Sequence, residues 1–323
     1  METLFVAKDA KLERKESTLL LRTPTATRRF PVESVRHIVL LGEAQLTSAV
    51  LSLCGRAGVR ITVLDWFGNV TGSFEPFDGV RSGAVRLAQA AAVLDNARRM
   101  SVAREIVAAA VDNLIANLRY RVWRGNAALT PVVERMSARR SAIAATTTTA
   151  ELMGVEGGLR ASYYEAWPLV DVRLSFGPRR RRPPNNRLNC LMSWFNGLAY
   201  AAMRHEIGKT HLEPAFSFLH SPNEARHSLA LDLAEPFKPV AVDTLIFQLA
   251  LRDQLDDGWF AEEAGVCRLT EVGRRATLEA WAAKLDMPGA SGRSLRDNMR
   301  AEALGIERHV LGLGTYSAHR RKV

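Results

Sequence analysis

Between positions 218 and 239 a strongly apolar stretch carries three groups capable of proton and metal chemistry: His220, directly after Phe218 and Leu219, and Asp232 and Glu235, set among Leu229, Leu231, Leu233 and Phe237. Imidazoles and carboxylates rarely enter a core without a partner, because burial strips the water that solvates them. Asp232 and Glu235 are three apart, which on a helical turn sets both on one face, and His220 precedes them across the polar turn Ser221-Pro222-Asn223-Glu224. A divalent cation would satisfy all three. A third carboxylate, Glu156, sits in a similar setting. Thr148 followed by Glu151 predicts a capping box and a helix start. On that helix Glu156 falls four after Leu152 and three before Leu159, along the apolar stripe, where an acid needs a cation. The structural alternative is that Glu156 pairs with an arginine and that Asp232 and Glu235 are acids of a helix N-terminus, held by its dipole.

The sharpest charge feature is Arg179-Arg180-Arg181-Arg182-Pro183-Pro184-Asn185-Asn186-Arg187. Adjacent guanidiniums repel one another and the prolines forbid a helix, so the run predicts a loop that gathers phosphates or remains solvated. Asn189 follows at a helix start, where asparagine commonly serves as a cap. Arg226 and Lys238, flanking the acidic turn, are candidates for phosphate contacts.

Four stretches together resemble the CRISPR-associated adaptation integrases, the "Cas-one" endonuclease family. They are Leu40-Leu41-Gly42 with the segment 59–65 and Gly68; Gly154-Val155-Glu156-Gly157; the segment 182–189; and the block from His220 to Pro239. The family often has glycine before the Phe-Leu-His element, where this chain has Ser217. The resemblance implies that Glu156, His220 and Glu235 are catalytic metal ligands, with Asp232 in or next to the coordination sphere, and that Asn189 lies near the active site. It implies insertion of spacer DNA into a CRISPR array, acting on double-stranded and branched DNA. It also implies a homodimer, two of which are bridged by a small companion "Cas-two" subunit.

Carboxylate oxygens and one imidazole, without thiolate, suit Mn²⁺ or Mg²⁺ better than structural zinc. Such an ion polarises a scissile phosphate; with water as nucleophile the outcome is cleavage, and with a DNA 3′-hydroxyl it is strand transfer. Two other readings use the same residues: a basic DNA-binding scaffold that has lost catalysis, and a nuclease acting on branched DNA in repair.

These residues need a scaffold, and 323 residues with 47% hydrophobic content suffice for one large or two modest domains. Short β-branched segments at 3–7, 17–22, 35–41, 59–65 and 70–74 predict strands, with one helix at 45–56. Beyond residue 80, helical periods at 86–121, 189–206, 240–255 and 269–285 dominate. The expected fold is therefore α+β: a β-rich N-terminal domain, 1–80, followed by an all-α catalytic domain, 81–323, joined by a linker at Asp78–Gly83. Net charge is +10, and 37 of the 44 basic residues are arginine, which suits bidentate phosphate recognition. Cys54, Cys190 and Cys267 lack paired spacing and are expected reduced and buried. There is no leader or membrane-length apolar run, so the expected location is cytoplasmic. His205-Glu206 resembles the zinc-protease pattern, but Lys209 stands where the second histidine belongs. His205 and Glu206 are thus expected on a helix surface; His37, His227, His309 and His319 are expected at surface or satisfied polar positions. Trp194, Phe195, Phe216, Phe218 and Phe237 are expected to be core.

Overall fold

The computed structural model describes residues 2–76, 82–175, 177, 179–221, 227–289 and 292–321. The strand-rich region holds β1 (Glu2–Val6), β2 (Lys11–Lys15), β3 (Thr18–Arg22), β4 (Thr27–Pro31), β5 (Val35–Leu41), β6 (Gln45–Leu46), β7 (Arg60–Leu64) and β8 (Val70–Phe74), with helix α1 (Ser48–Arg56). β1, β5 and β7 pair in parallel and β8 closes one edge antiparallel, while β4-β3-β2-β6 form a second sheet. Residues alternate along β5: Ile38 and Leu40 enter the core of the strand-rich region, whereas Val39 and Leu41 join the core of the helices. One strand thereby belongs to both cores.

The helical part contains α2 (Gly83–Leu94), α3 (Asn96–Trp123), α4 (Thr130–Arg139), α5 (Ala142–Ala145), α6 (Thr149–Glu165), α7 (Trp167–Val170), α8 (Arg187–Ile207), α9 (Ser228–Ala234), α10 (Thr244–Leu251), α11 (Glu271–Asp286) and α12 (Leu295–Val310). A hairpin, β9 (Phe260–Glu263) with β10 (Val266–Leu269), interrupts it, so this part is mostly rather than entirely helical. The long helix expected at 86–121 is two helices. Asp95 breaks it in an extended conformation and caps the second by accepting from the Arg98 amide at 3.0 Å. The segment expected as a helix from 240 begins as a wide π-type turn, Lys238–Asp243, before α10. The helix expected at 45–56 starts only at Ser48. Most of the expected linker, 78–81, lies outside the described residues. All three cysteines are free and buried. Trp194, Phe195, Phe218 and Phe237 are core residues, and Phe216 is partly buried. Among the described residues no helix is long and apolar enough to cross a membrane.

α8 meets the strand-rich region at its middle and at its end. At its middle, a Cβ on Gly197 would stand 2.0 Å from the Gly68 carbonyl oxygen, so only glycine fits there, and Gly68 itself has φ +83°. At its end, Arg60 of β7 donates to the carbonyls of Arg204, His205 and Gly208 and pairs with Glu75. The expectation that His205 and Glu206 lie on a helix surface is overturned: both are about 2% exposed or less. The α8 end is enclosed by sheet and helices alike. The His205 ring stacks on His37 of β5 at 4.2 Å, while His37 Nε2 meets Thr62 Oγ1 at 2.9 Å.

Burial lowers both imidazoles, His37 to about 3 and His205 well below its ordinary 6.5. Both are neutral when folded, so below pH 6.5 the unfolded chain binds more protons. Stability is lost from there down through about 3, at about 1.4 kcal/mol per pH unit for each ring kept neutral. His205→Phe retains a stacked ring without a titrating group. Its melting temperature should fall less than the parent's between neutral and mildly acidic buffer; equal acid slopes in calorimetry would refute this account.

Candidate active site

The capping box expected at the start of α6 is present: Glu151 N donates to Thr148 Oγ1 at 3.2 Å, and Glu151 Oε2 accepts from the Thr148 amide at 3.4 Å. Two turns on, Glu156 accepts from Arg160 Nε at 2.5 Å. The same guanidinium reaches Glu235, the residue that ends α9, donating from Nη2 to Oε2 at 2.7 Å. Lys238 donates to the other oxygen, Oε1, at 2.5 Å, and its ammonium lies 4.9 Å from the Tyr200 ring centroid. Burial would raise the Glu235 pKa, but the charges of Lys238 and Arg160 and the Lys238 hydrogen bond outweigh it and hold the carboxyl at about 2. The arginine partner considered for Glu156 is thus Arg160, and it serves Glu235 as well.

Asp232 is fully buried near the end of α9, not at a helix N-terminus. Its Oδ2 accepts from the amides of Phe218 and Leu219 at 2.6 and 2.8 Å, and its Oδ1 from the His220 amide at 3.0 Å. Oδ1 also meets His220 Nδ1 at 2.7 Å, which fixes the ring and leaves Nε2 as the nitrogen free to bind. Burial lowers the His220 pKa, but the hydrogen bond and charge of Asp232, joined by the charge of Glu235, raise it above its ordinary value. Asp232 and Glu235 therefore share a helical turn and serve different partners. Among the described residues no three His, Cys, Asp or Glu side chains converge on one ion position, and the point between Glu156 and Glu235 is occupied by Arg160.

Sequence reasoning missed two members of this cluster. Arg160 stands one turn after Glu156, a spacing at which side chains meet. Asp243, fully buried in the apolar run that follows Lys238, has its pKa pushed up to about 7 by burial, against the opposing charges of Arg160 and Lys238 and a hydrogen bond from Tyr163. A carboxylate in a strongly apolar run was the signal that singled out Asp232 among leucines, and it applied equally to Asp243 after Val240 and Val242.

The basic loop is pinned rather than free. Arg179 donates to Asn189 Oδ1 at 3.0 Å and Ser193 Oγ at 3.1 Å, and it lies within electrostatic reach of Tyr164, Tyr200 and Asp243. Arg182 donates to Asn69 Oδ1 at 3.3 Å, and Arg187 pairs with Asp257 and Glu262. Arg180 and Arg181 are exposed. The cap of α8 is Asn186, which accepts from the Asn189 amide at 2.9 Å, so Asn189 is not the cap. Asn189 is buried three residues in and ties the loop to the helix. Lys238 is not a surface phosphate contact, since its ammonium is committed to Glu235 and its side chain is 11% exposed. Arg226 lies outside the described residues.

A family model described as CRISPR associated protein Cas1 matches residues 4–283. A CRISPR-associated endonuclease Cas1 of Moorella thermoacetica is 33% identical, with 98% of each chain covered. The structure of a CAS1 protein from Thermotoga maritima matches with a TM-score of 0.89 at 29% identity, covering 99% of this chain and 100% of its own. A casposase bound to integration product, 18% identical, matches in fold with a TM-score of 0.85 over 98% of this chain and 93% of its own.

Asp232→Asn substitutes a carboxamide, with one acceptor and two donors, where three amides and an imidazole all require an acceptor. The loss should be on the order of 2–4 kcal/mol in urea titration. In metal-free buffer the His220 pKa should drop, read from its ring proton shifts; an unmoved titration would show that Asp232 does not set the state of His220.

Proposed function

This chain belongs to the Cas1 family of CRISPR-associated proteins, and we propose that it is a metal-dependent DNA endonuclease and integrase of CRISPR adaptation, joining spacer DNA to a repeat by phosphodiester transesterification. The observation that carries this reading is that Arg160 joins Glu156 to Glu235 while the Asp232-oriented His220 lies within electrostatic reach of Glu235, with the basic loop attached through Arg179.

The donor set fits Mn²⁺ or Mg²⁺: two carboxylates and an imidazole nitrogen with no thiolate, and a guanidinium already standing between the carboxylates as a cation. Glu156, Glu235 and His220 would hold the ion, with Asp232 orienting His220. The chemistry such an ion supplies is Lewis-acid polarisation of the scissile phosphate. Arg160, released from the carboxylates, offers a planar fork of N–H donors to phosphate oxygens. Lys238 keeps Glu235 ionised. Arg180 and Arg181 take the DNA backbone of double-stranded or branched substrates, and Arg179, Arg182 and Arg187 hold the loop that presents them.

Two strand-transfer events on opposite strands need two active sites at a fixed separation, which supports a homodimer bridged to a second one by a small companion subunit. The proposed setting is the cytoplasm, where the array resides. The casposase of the same fold is bound to an integration product, which makes strand transfer the reaction to assay first.

On a labelled branched DNA that mimics a half-integrated spacer, the protein with Mn²⁺ or Mg²⁺ should rejoin the target strand and release the flap. Chelator, Glu156→Ala and His220→Ala should each abolish this, by roughly a hundredfold or more, while DNA affinity stays within about twofold. Cleavage without rejoining would instead indicate a branched-DNA repair nuclease, and binding without either product a scaffold.

A second expectation concerns Arg160→Met. Without metal it should cost on the order of 3–5 kcal/mol, because two carboxylates lose their shared cation. Its melting temperature should rise further on addition of Mn²⁺ than the parent's does; equal Mn²⁺ shifts would mean that the ion does not use the position of Arg160.

A further inference from the structure

At the far end of α8 from the basic loop, a cleft of about 620 Å³ opens between the strand-rich region and the helices. Its wall includes His205 from α8, Arg56 from the end of α1, Arg86 from α2, Arg300 from α12, and Arg60 and Lys209. Neither ring nitrogen of His205 has a hydrogen-bond partner, although the side chain is only 3% exposed. The Nε of Arg86 is likewise buried without a partner. Buried polar atoms are nearly always satisfied, so the ring N–H of neutral His205 and the Nε–H of Arg86, both orphaned on one cleft, point to a ligand that supplies acceptors.

The charges say which kind. Arg60 is committed to Glu75 and the α8 carbonyls, Lys209 to Glu206, and Arg86 to Glu213 at 3.1 Å. Arg56 bonds only the Ser52 hydroxyl, and Arg300 has no carboxylate partner among the described residues. Five cations thus face three carboxylates, and the surplus is guanidinium, whose forked donors match a tetrahedral oxyanion.

We propose that this cleft binds a phosphate group, carried by a free phosphorylated ligand such as a mononucleotide or by a DNA backbone, with His205 and Arg86 as donors at its floor and Arg300 and Arg56 at its mouth. The site is separate from the Glu156–Glu235 cluster, and the inference does not rest on the catalytic reading.

Pyrophosphate is the probe. Calorimetric titration of the full chain should show binding, and the His205 ring resonances in a ¹⁵N-histidine spectrum, assigned with His205→Phe, should move with it. The Arg86→Ala/Arg300→Ala double variant should bind at least about tenfold more weakly. The exposed Arg300→Ala alone should weaken binding while melting as the parent does, which separates ligand loss from misfolding. Absence of heat, unmoved His205 signals, or unchanged affinity in Arg300→Ala and the double variant would each overturn the proposal. Competition by AMP assigns the phosphate to a free ligand, and competition by a short DNA duplex assigns it to the backbone. Failure of both to displace pyrophosphate also counts against the site.

Discussion

One guanidinium, that of Arg160, holds two carboxylates from separate helices, Glu156 of α6 and Glu235 at the end of α9. Arg160 is 11% exposed, and Glu235 8%. Moving such charges out of water costs several kcal/mol each, and that cost is recovered only when geometry and hydrogen bonds are good. Here they are: Arg160 meets Glu156 and Glu235 at hydrogen-bond distance, and Lys238 covers the remaining oxygen of Glu235. The contact also sets how the end of α9 lies against α6, because a shift of either helix would strand a buried charge. The position it fixes already selects for positive charge, and the proposed chemistry needs a cation there.

A charged cluster of this kind needs a rigid backbone, and the segment after Glu235 is poorly equipped to provide one. Pro236 and Pro239 have no amide hydrogen and cannot continue a helical ladder, so the chain passes through a wide turn with carbonyls to satisfy. Two buried asparagines of α3 do so: Asn113 donates to Pro236 O at 2.8 Å, and Asn117 to Pro239 O at 2.8 Å. The C-terminal tail closes over them. His319 stacks on Phe237 at 4.7 Å and its carbonyl takes a second bond from Asn113, while the Arg321 amide donates to Asn113 Oδ1 at 2.8 Å. Arg320 anchors that tail on Glu105 and Asp112. Glu235 and Lys238 are held at both ends of a turn that has little regular structure of its own.

Much of this was legible in the chain. The strands of the first sheet announce themselves through β-branched runs, and the carboxylates of the site through acids among leucines and valines. β2 and β4 were not legible, because Lys11–Lys15 buries only Leu12 fully and Thr27–Pro31 buries no residue fully. Their strand state comes from pairing with β3, a property of the partner. The burial of His205 escaped for a similar reason. A helix enclosed on all sides shows no polar face, and Arg204, His205 and Glu206 at its end mimic one. The identity of ion-pair partners far apart in sequence, such as Arg160 with Glu235, is a product of the packing and has no local signal.

The basic loop shows how a charge run that is unfavourable in isolation becomes a usable feature. Its guanidiniums would repel one another in a free loop, but the fold distributes them: Arg179 onto Asn189 and Ser193, Arg182 onto Asn69, Arg187 onto Asp257 and Glu262. Arg180 and Arg181 remain exposed on a backbone tied to the first turns of α8, since Asn189 accepts from the Arg180 amide and the Arg181 carbonyl lies 3.5 Å from Ser193 Oγ. A polyanion approaching Glu156 and Glu235 would meet repulsion from their charge. Arg160 and Lys238 neutralise that charge from within, and Arg179 extends the positive field from the cluster to the loop. Acid and base are thus arranged so that Glu235 stays ionised for a cation while the surface over the cluster remains attractive to phosphate.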